Sequence, residues 1–232
     1  MTAIASEIMR DVPSIYLPMD ESGGTTLYDR SGNGRNFTTH GTWGSSPGGC
    51  QPLNNETALT WDGASGTYGD RADEAAQKPS ALTLETVLHV GSGTDKGIVT
   101  KSTTGSLNDG YGLYLSSANK VRFYVNTYSV NYAEWATAIT SGIAYHFVGT
   151  YDGANIKLYV NGAEVGTMAY STAITHSTTP LLLAKYQQAG TELLCRQAHV
   201  ALYSSALSAS RVKRHYQAFG EWYTASAPMV MG

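Results

Sequence analysis

The clearest alternation of hydrophobic and polar positions lies between residues 145 and 168, YHFVGTYDGANIKLYVNGAEVGTM. Ile156, Leu158 and Val160 alternate with Lys157 and Tyr159. Side chains in a strand point to opposite faces in turn, so this places an apolar set on one face. Asp152-Gly153 and Asn161-Gly162 punctuate the stretch. Asn-Gly is a strong hairpin signal, because a type I′ turn needs positive φ at both central residues. Three antiparallel strands are predicted, at 145–151, 156–160 and 163–168.

The same reading along the chain places further strands at 14–19, 58–62, 81–90, 95–100, 111–115, 120–125, 180–184 and 199–203. Leu82, Leu84, Thr86 and Leu88 oppose Thr83, Glu85, Val87 and His89, and apolar residues on both faces fit a central strand. Helical spacing occurs only near the ends. Ile4, Ala5, Ile8, Met9 and Val12 recur at intervals of three and four before Pro13 stops the pattern. So short a helix is marginal alone and must dock, on its own domain or on a neighbouring subunit. Ser208 is placed to cap a second helix reaching about Phe219, with Val212, Tyr216 and Phe219 on one side. The division expected is an arm over 1–12, one β-domain over 13–219 and an extension over 220–232.

Composition supports an all-β domain. The chain of 232 residues has 25 Gly and only 14% charged residues, as many short strands joined by tight turns require. A net charge of −3 leaves no electrostatic footprint for nucleic acid, and no basic run points to a membrane surface. No apolar run reaches the roughly 18 residues that read as a bilayer span. The first 13 residues lack a charged segment followed by an apolar core, so no secretory leader is expected. Cys50 and Cys195 form neither a metal spacing nor a redox motif, and leave open a disulfide or two separate thiols.

Candidate chemistry is sparse. Asp29, Ser31 and Asn33 set alternate oxygens before Gly34, as at the start of a calcium loop. Position twelve of that loop is His40, so an EF-hand is rejected; a loop sharing Ca2+ with others, or one in which the side chains bond their own backbone, remains. Tyr128, Tyr132, Glu134 and Trp135 could form a glycan platform, with Asn126 and Asn131 nearby. Glu85 and Glu134 each stand alone, whereas a glycosidase needs two carboxylates about 5–10 Å apart. Asp70, Asp73 and Glu74 read as a solvated loop, no nucleophile elbow occurs, and the six histidines are dispersed.

The order of motifs resembles the laminin-G-like, concanavalin A-like jelly roll, especially the variety found in bacterial and phage surface proteins. Tyr16-Leu17-Pro18-Met19-Asp20 and Asp29-Arg30-Ser31-Gly32-Asn33-Gly34 resemble its opening strand and loop. Leu59-Thr60-Trp61-Asp62-Gly63 resembles its hydrophobic-F-D-G strand. His146-Phe147-Val148-Gly149-Thr150-Tyr151-Asp152-Gly153, with Leu158-Tyr159-Val160-Asn161-Gly162, resembles its most recognisable hairpin, and Ala206-Leu207-Ser208-Ala209 its closing motif. The chain departs from the pattern at three places. Ala144 stands where the family usually has Trp, Ala198-His199 where it has an Asp-Glu pair, and Arg211 where its closing helix has an early Glu.

The resemblance implies a two-sheet antiparallel jelly-roll sandwich with short helical extensions. The family hosts lectins, adhesion modules, glycosidases and virion parts, so it does not fix function. The expectation adopted is a non-catalytic accessory protein on a bacteriophage particle, as a minor tail or capsid decoration protein made in the host cytoplasm. It would contact other virion proteins or copies of itself through Ile4, Ile8 and Met9 at one end and Trp222, Tyr223, Met229 and Val230 at the other. The alternative is a module binding host-surface glycans; a glycoside hydrolase is the third reading.

Overall fold

The computed structural model describes residues 2–47, 49–50, 56–103 and 106–225, with side chains as far as residue 219. Two antiparallel sheets of eight strands face one another. In chain order the strands are β1 (Ile15–Leu17), β2 (Thr26–Leu27), β3 (Phe37–His40), β4 (Trp43–Ser46), β5 (Ala58–Asp62), β6 (Tyr68–Arg71), β7 (Leu82–Ser92) and β8 (Lys96–Lys101). They continue as β9 (Tyr111–Leu115), β10 (Val121–Val125), β11 (Tyr132–Glu134), β12 (Ala144–Tyr151), β13 (Asn155–Val160), β14 (Ala163–Ala169), β15 (Leu181–Leu183) and β16 (Leu194–Tyr203). The first sheet runs β14-β13-β12-β7-β16-β5-β4, with β1 also paired to β16; the second runs β11-β10-β9-β8-β15-β6-β3-β2. This is the jelly-roll sandwich expected.

The hairpin that organises the sequence lies at one side of the first sheet. Asn161 and Gly162 take φ of 51° and 77°, as a type I′ turn demands. Asp152 closes the other turn by accepting from the amides of Ala154 and Asn155. Ile156 and Leu158 enter the core between the sheets with Leu84, Leu88, Leu113, Phe123 and Phe147. Gly149 is required there: a Cβ would lie 2.1 Å from the Phe123 ring.

The opposite face of the first sheet is also covered. Helix α1 (Ala3–Arg10) is capped by Thr2, whose hydroxyl accepts from the Ala5 amide at 3.4 Å. Helix α2 (Ala209–Ala225) begins at Ser208, whose hydroxyl accepts from the Arg211 amide at 3.3 Å. Ile4, Ala5 and Ile8 of α1 join Tyr16, Val87, Ala144, Ala198, Ala201, Tyr203 and Phe219 in a second apolar cluster. Burying Ile4 and Ile8 contributes roughly 1.5–3 kcal/mol each. Val212 closes over Val148 and Tyr159, which buries the outward-facing ring of Tyr159 on β13 beneath α2.

Two expectations change here. Ile4 and Ile8 are spent on the domain's own sheet, with Met9 packed against the same cluster, so they are not free to contact a partner. Helix α2 runs to Ala225, so no boundary falls at residue 219. Trp222 and Tyr223 lie beyond the described side chains, and Met229 and Val230 outside the described residues. Cys50 and Cys195 are both buried free thiols; burial pushes Cys50 up to about 12.

Candidate functional site: an open cleft and a closed ionic network

The outer face of the second sheet carries an open cleft. Leu181 and Leu183 point into the sandwich core, so Leu182 between them faces outward. Strand register aligns Thr38, Asp70, Leu182 and Thr100 across β3, β6, β15 and β8, with His40 beside Tyr68 in the next row. Tyr68, Asp70, Leu182, Lys185, Gln187 and Gln188 line a cleft of about 250 Å3.

The side chains of Tyr68, Asp70 and Lys185 are held in place before any ligand arrives. The Tyr68 ring stacks on His40 at 4.4 Å, and the Lys185 ammonium sits 4.3 Å from its centroid. Asp70 is 3.0 Å from His40 Nε2, and Lys185 is 3.2 Å from Glu192. Glu192 is nearly buried, and its carboxyl sits below the usual range because the Gly66 amide and Lys185 outweigh its desolvation. Carboxylate, ammonium and two side-chain amides thus converge beside an aromatic ring, which matches the alternating donors and acceptors of a polyhydroxylated ligand.

The platform expected at Tyr128, Tyr132, Glu134 and Trp135 is only partly assembled. Tyr124 pairs with Tyr132 and Arg122 with Glu134 on the outer face of the second sheet. Tyr128 and Tyr132 pack there around Tyr114 and Tyr124. The Arg122 guanidinium covers the Tyr132 ring at 4.0 Å and binds Glu134 at 2.6 Å, leaving that carboxylate already paired. Trp135 turns the other way, against the core, with its ring 5.4 Å from Tyr145. The four residues therefore do not share one surface. Asn126 is buried and ties down the 170–175 loop through Tyr170, Ala173 and Thr175.

The loop around Asp29 is organised by hydrogen bonds. Asp29 accepts from the amides of Tyr16, Ser31 and Arg35 and from the Ser31 hydroxyl, all at 2.8–2.9 Å. Those donors outweigh desolvation and hold its carboxyl below the usual range. Asn33 turns its amide nitrogen to the Ser14 carbonyl at 3.1 Å. Asp29, Ser31 and Asn33 spend these contacts on the chain itself, the backbone reading of this motif. Among the described residues no cluster of three His, Cys, Asp or Glu side chains could hold a metal ion.

Among the described residues, a dense cluster of buried charge lies under α1 and α2. Glu85, on the outer face of β7, is fully buried. It accepts from His146 Nε2 at 2.8 Å, Tyr203 Oη at 2.8 Å and His215 Nδ1 at 3.0 Å. Desolvation would raise its pKa, but the charge of His215 and these hydrogen bonds hold it well below the carboxylate range. His215 Nε2 continues to Asp11 at 2.9 Å, and Arg211 binds both Asp11 and Glu7 at 2.9 Å. Next to it, His199 occupies a bulge in β16 with φ of 50°, a region costly for a residue with a Cβ. The bulge aims His199 at the Tyr16 hydroxyl (2.9 Å) and Glu56 (2.6 Å). A cavity of about 670 Å3 lies beside it, walled by Ala5 and Met9 of α1 together with Tyr16, Arg30, Glu56 and His199.

The sequence reading missed both sites. Asp70 looked like part of a solvated acidic loop, and Glu85 looked solitary because its partners are 61, 118 and 130 residues away. One signal was present. Two of the departures from the family pattern, at Ala144 and Ala198-His199, fall under the two helices, and the third, Arg211, lies on α2 and ties it to Asp11.

Comparison with known proteins defines the class. A model of the concanavalin A-like lectin/glucanases superfamily matches residues 62–213, and the chain belongs to that family. Among solved structures, the binding domain of Paraclostridial Mosquitocidal Protein 1 superposes with a TM-score of 0.72 at 15% identity, over 92% of this chain and 53% of that one. The binding domain of Botulinum Neurotoxin DC in complex with SialylT gives 0.67 at 10% identity, covering 91% and 52%. The chain thus spans about half the length of these toxin domains. Domain 4 of AbnA, a GH43 extracellular arabinanase from Geobacillus stearothermophilus in complex with arabinotriose, gives 0.67 at 14% identity, covering 88% and 98%. No curated protein matches the chain.

Proposed function

We propose that the chain is a non-catalytic, lectin-like module that binds a carbohydrate in the cleft on the second sheet. The observation that carries this reading is the convergence of Asp70, Lys185, Gln187 and Gln188 beside the fixed ring of Tyr68. Support comes from similar folds described as binding domains or seen in complex with arabinotriose. Among the described residues Asp70 is the only carboxylate lining the cleft, and it is paired with His40, which argues against a two-carboxylate hydrolase. A glycan array tests the reading. Saturable binding should be lost in Asp70→Ala, weakened in Gln188→Ala and retained in Trp135→Ala; the reverse pattern would move the site to the other end of the sheet.

The finer reading sets this module on the surface of a bacteriophage particle, as a minor tail or capsid decoration protein among other virion proteins or copies of itself. Its support is the resemblance of the Val12-Pro13…Tyr16 opening, and of the motif order after it, to phage surface domains. With α1 folded onto its own sheet, docking to a particle falls to residues 220–232. Removing them should leave a folded domain that no longer sediments with particles, and unchanged co-sedimentation would refute that role.

A further inference from the structure

Helix α1 joins the sandwich through a strained hinge. Val12 takes φ of 52° and is 80% exposed, and Pro13 follows it. A β-branched residue is an outlier in the left-handed region, and a residue preceding proline prefers extended backbone. The Val12 amide donates to the Met9 carbonyl at 3.2 Å, so this conformation ends α1 where the chain turns into the sandwich, and Asp11 beside it reaches His215 and Arg211. Release would let Val12 relax.

The contact that opposes release depends on a proton. His215 meets a carboxylate at each ring nitrogen, Glu85 at Nδ1 and Asp11 at Nε2. Carboxylates only accept, so both nitrogens must donate and the ring carries a charge. A neutral ring would turn a lone pair toward one of the two anions. The other groups facing it are Tyr203 on β16, His146 on β12 and Arg211 on α2, which in turn holds Glu7 of α1. Arg214 adds a longer contact to Glu7, at 3.9 Å.

We propose that α1 is a releasable arm whose docking is governed by the proton on His215, with Val12 as the hinge. Desolvation alone would lower the pKa of His215; Glu85 and Asp11 outweigh it and raise it. Of the two anions only Asp11 leaves with α1, so the docked helix gains the stability of the Asp11 contact, which is fully present while the ring is protonated. That stability is lost as pH rises through the raised value. Glu7 works at the acid end: Arg211 holds its carboxyl below the usual range, so its contribution is lost only as pH falls through that lowered value. Release of α1 takes Ala5 and Met9 from one wall of the cavity beside His199 and opens it.

Methyl NMR of the full chain tests the arm, with Ile4 and Ile8 reporting docking and Ile98 and Ile156 reporting the sandwich core. Raising pH should move the Ile4 and Ile8 signals to released positions while the Ile98 and Ile156 signals stay in place. Asp11→Asn, which removes one of the two anions, should shift this release to lower pH. Val12→Gly, which removes the strain without touching the ionic contacts, should shift it to higher pH. The proposal is overturned if all four methyls change together at one pH, or if neither substitution moves the release.

Discussion

The two outer faces of this sandwich are built from the same kind of strand and come to opposite ends. The first sheet turns Glu85, His146, His199 and Tyr203 outward and then buries them under α1 and α2. The second turns Tyr68, Asp70 and Leu182 outward and leaves a cleft above them. Charge on the covered face is neutralised by other parts of the chain, because an unpaired buried ion costs several kcal/mol. Charge on the open face is paired only at the side, through His40 and Glu192, leaving polar groups to meet a ligand. Concentrated charge therefore marks structure on one face. Moderate, tethered polarity marks the candidate site on the other.

The contrast is broken most severely at Glu85. Glu85→Ala strands His215 and Asp11 without the central carboxylate, at a cost of about 3–5 kcal/mol. Thermal melting should fall by roughly 6–20 °C for a chain of this size. Glycan binding by the fraction still folded should not change.

Next comes Asp29. Asp29→Ala removes four hydrogen bonds from one carboxylate and should cost about 2–3 kcal/mol in urea denaturation. A chelator should leave the wild-type melting temperature unchanged, whereas a drop would show that a cation shares this loop.

Trp135→Ala separates platform from packing. The ring is half-buried against the core, so its loss should cost about 2 kcal/mol of stability. Affinity for a bound glycan should stay within about twofold, well under the 1.4 kcal/mol that marks a tenfold change.

The smallest effect on folding is expected at the cleft. Gln188→Ala changes an exposed residue and should alter stability by less than about 0.5 kcal/mol. Titration calorimetry should nevertheless show affinity falling about tenfold, the loss of one hydrogen bond to the ligand.

These faces also differ in how far the sequence disclosed them. The hairpin of β12, β13 and β14 was legible because its turns are local and its alternation strict. Strand β6, Tyr68–Arg71, was not. Its inward position is Gly69, packed on Leu183 and Trp61, so no hydrophobic residue marks the buried face. Strand β11, Tyr132–Glu134, was hidden in the same way, because Ala133 is its only inward side chain. The cleft is built on β6, and it disappeared from the sequence along with that strand. The ionic network was hidden by distance along the chain, since the end of α1, β7, β12, β16 and α2 each contribute one or two of its members. Helix α1 itself was readable from its apolar spacing. What covered its apolar face was not, because that depends on a sheet assembled from remote strands.

The most direct test of the site is to titrate a bound oligosaccharide against the isotope-labelled chain and map the amide shifts. Changes should gather on Tyr68, Asp70, Leu182, Lys185, Gln187 and Gln188, leaving α1 and α2 still. Shifts centred instead on the Tyr128–Tyr132 end, or on the cavity beside His199, would contradict this assignment.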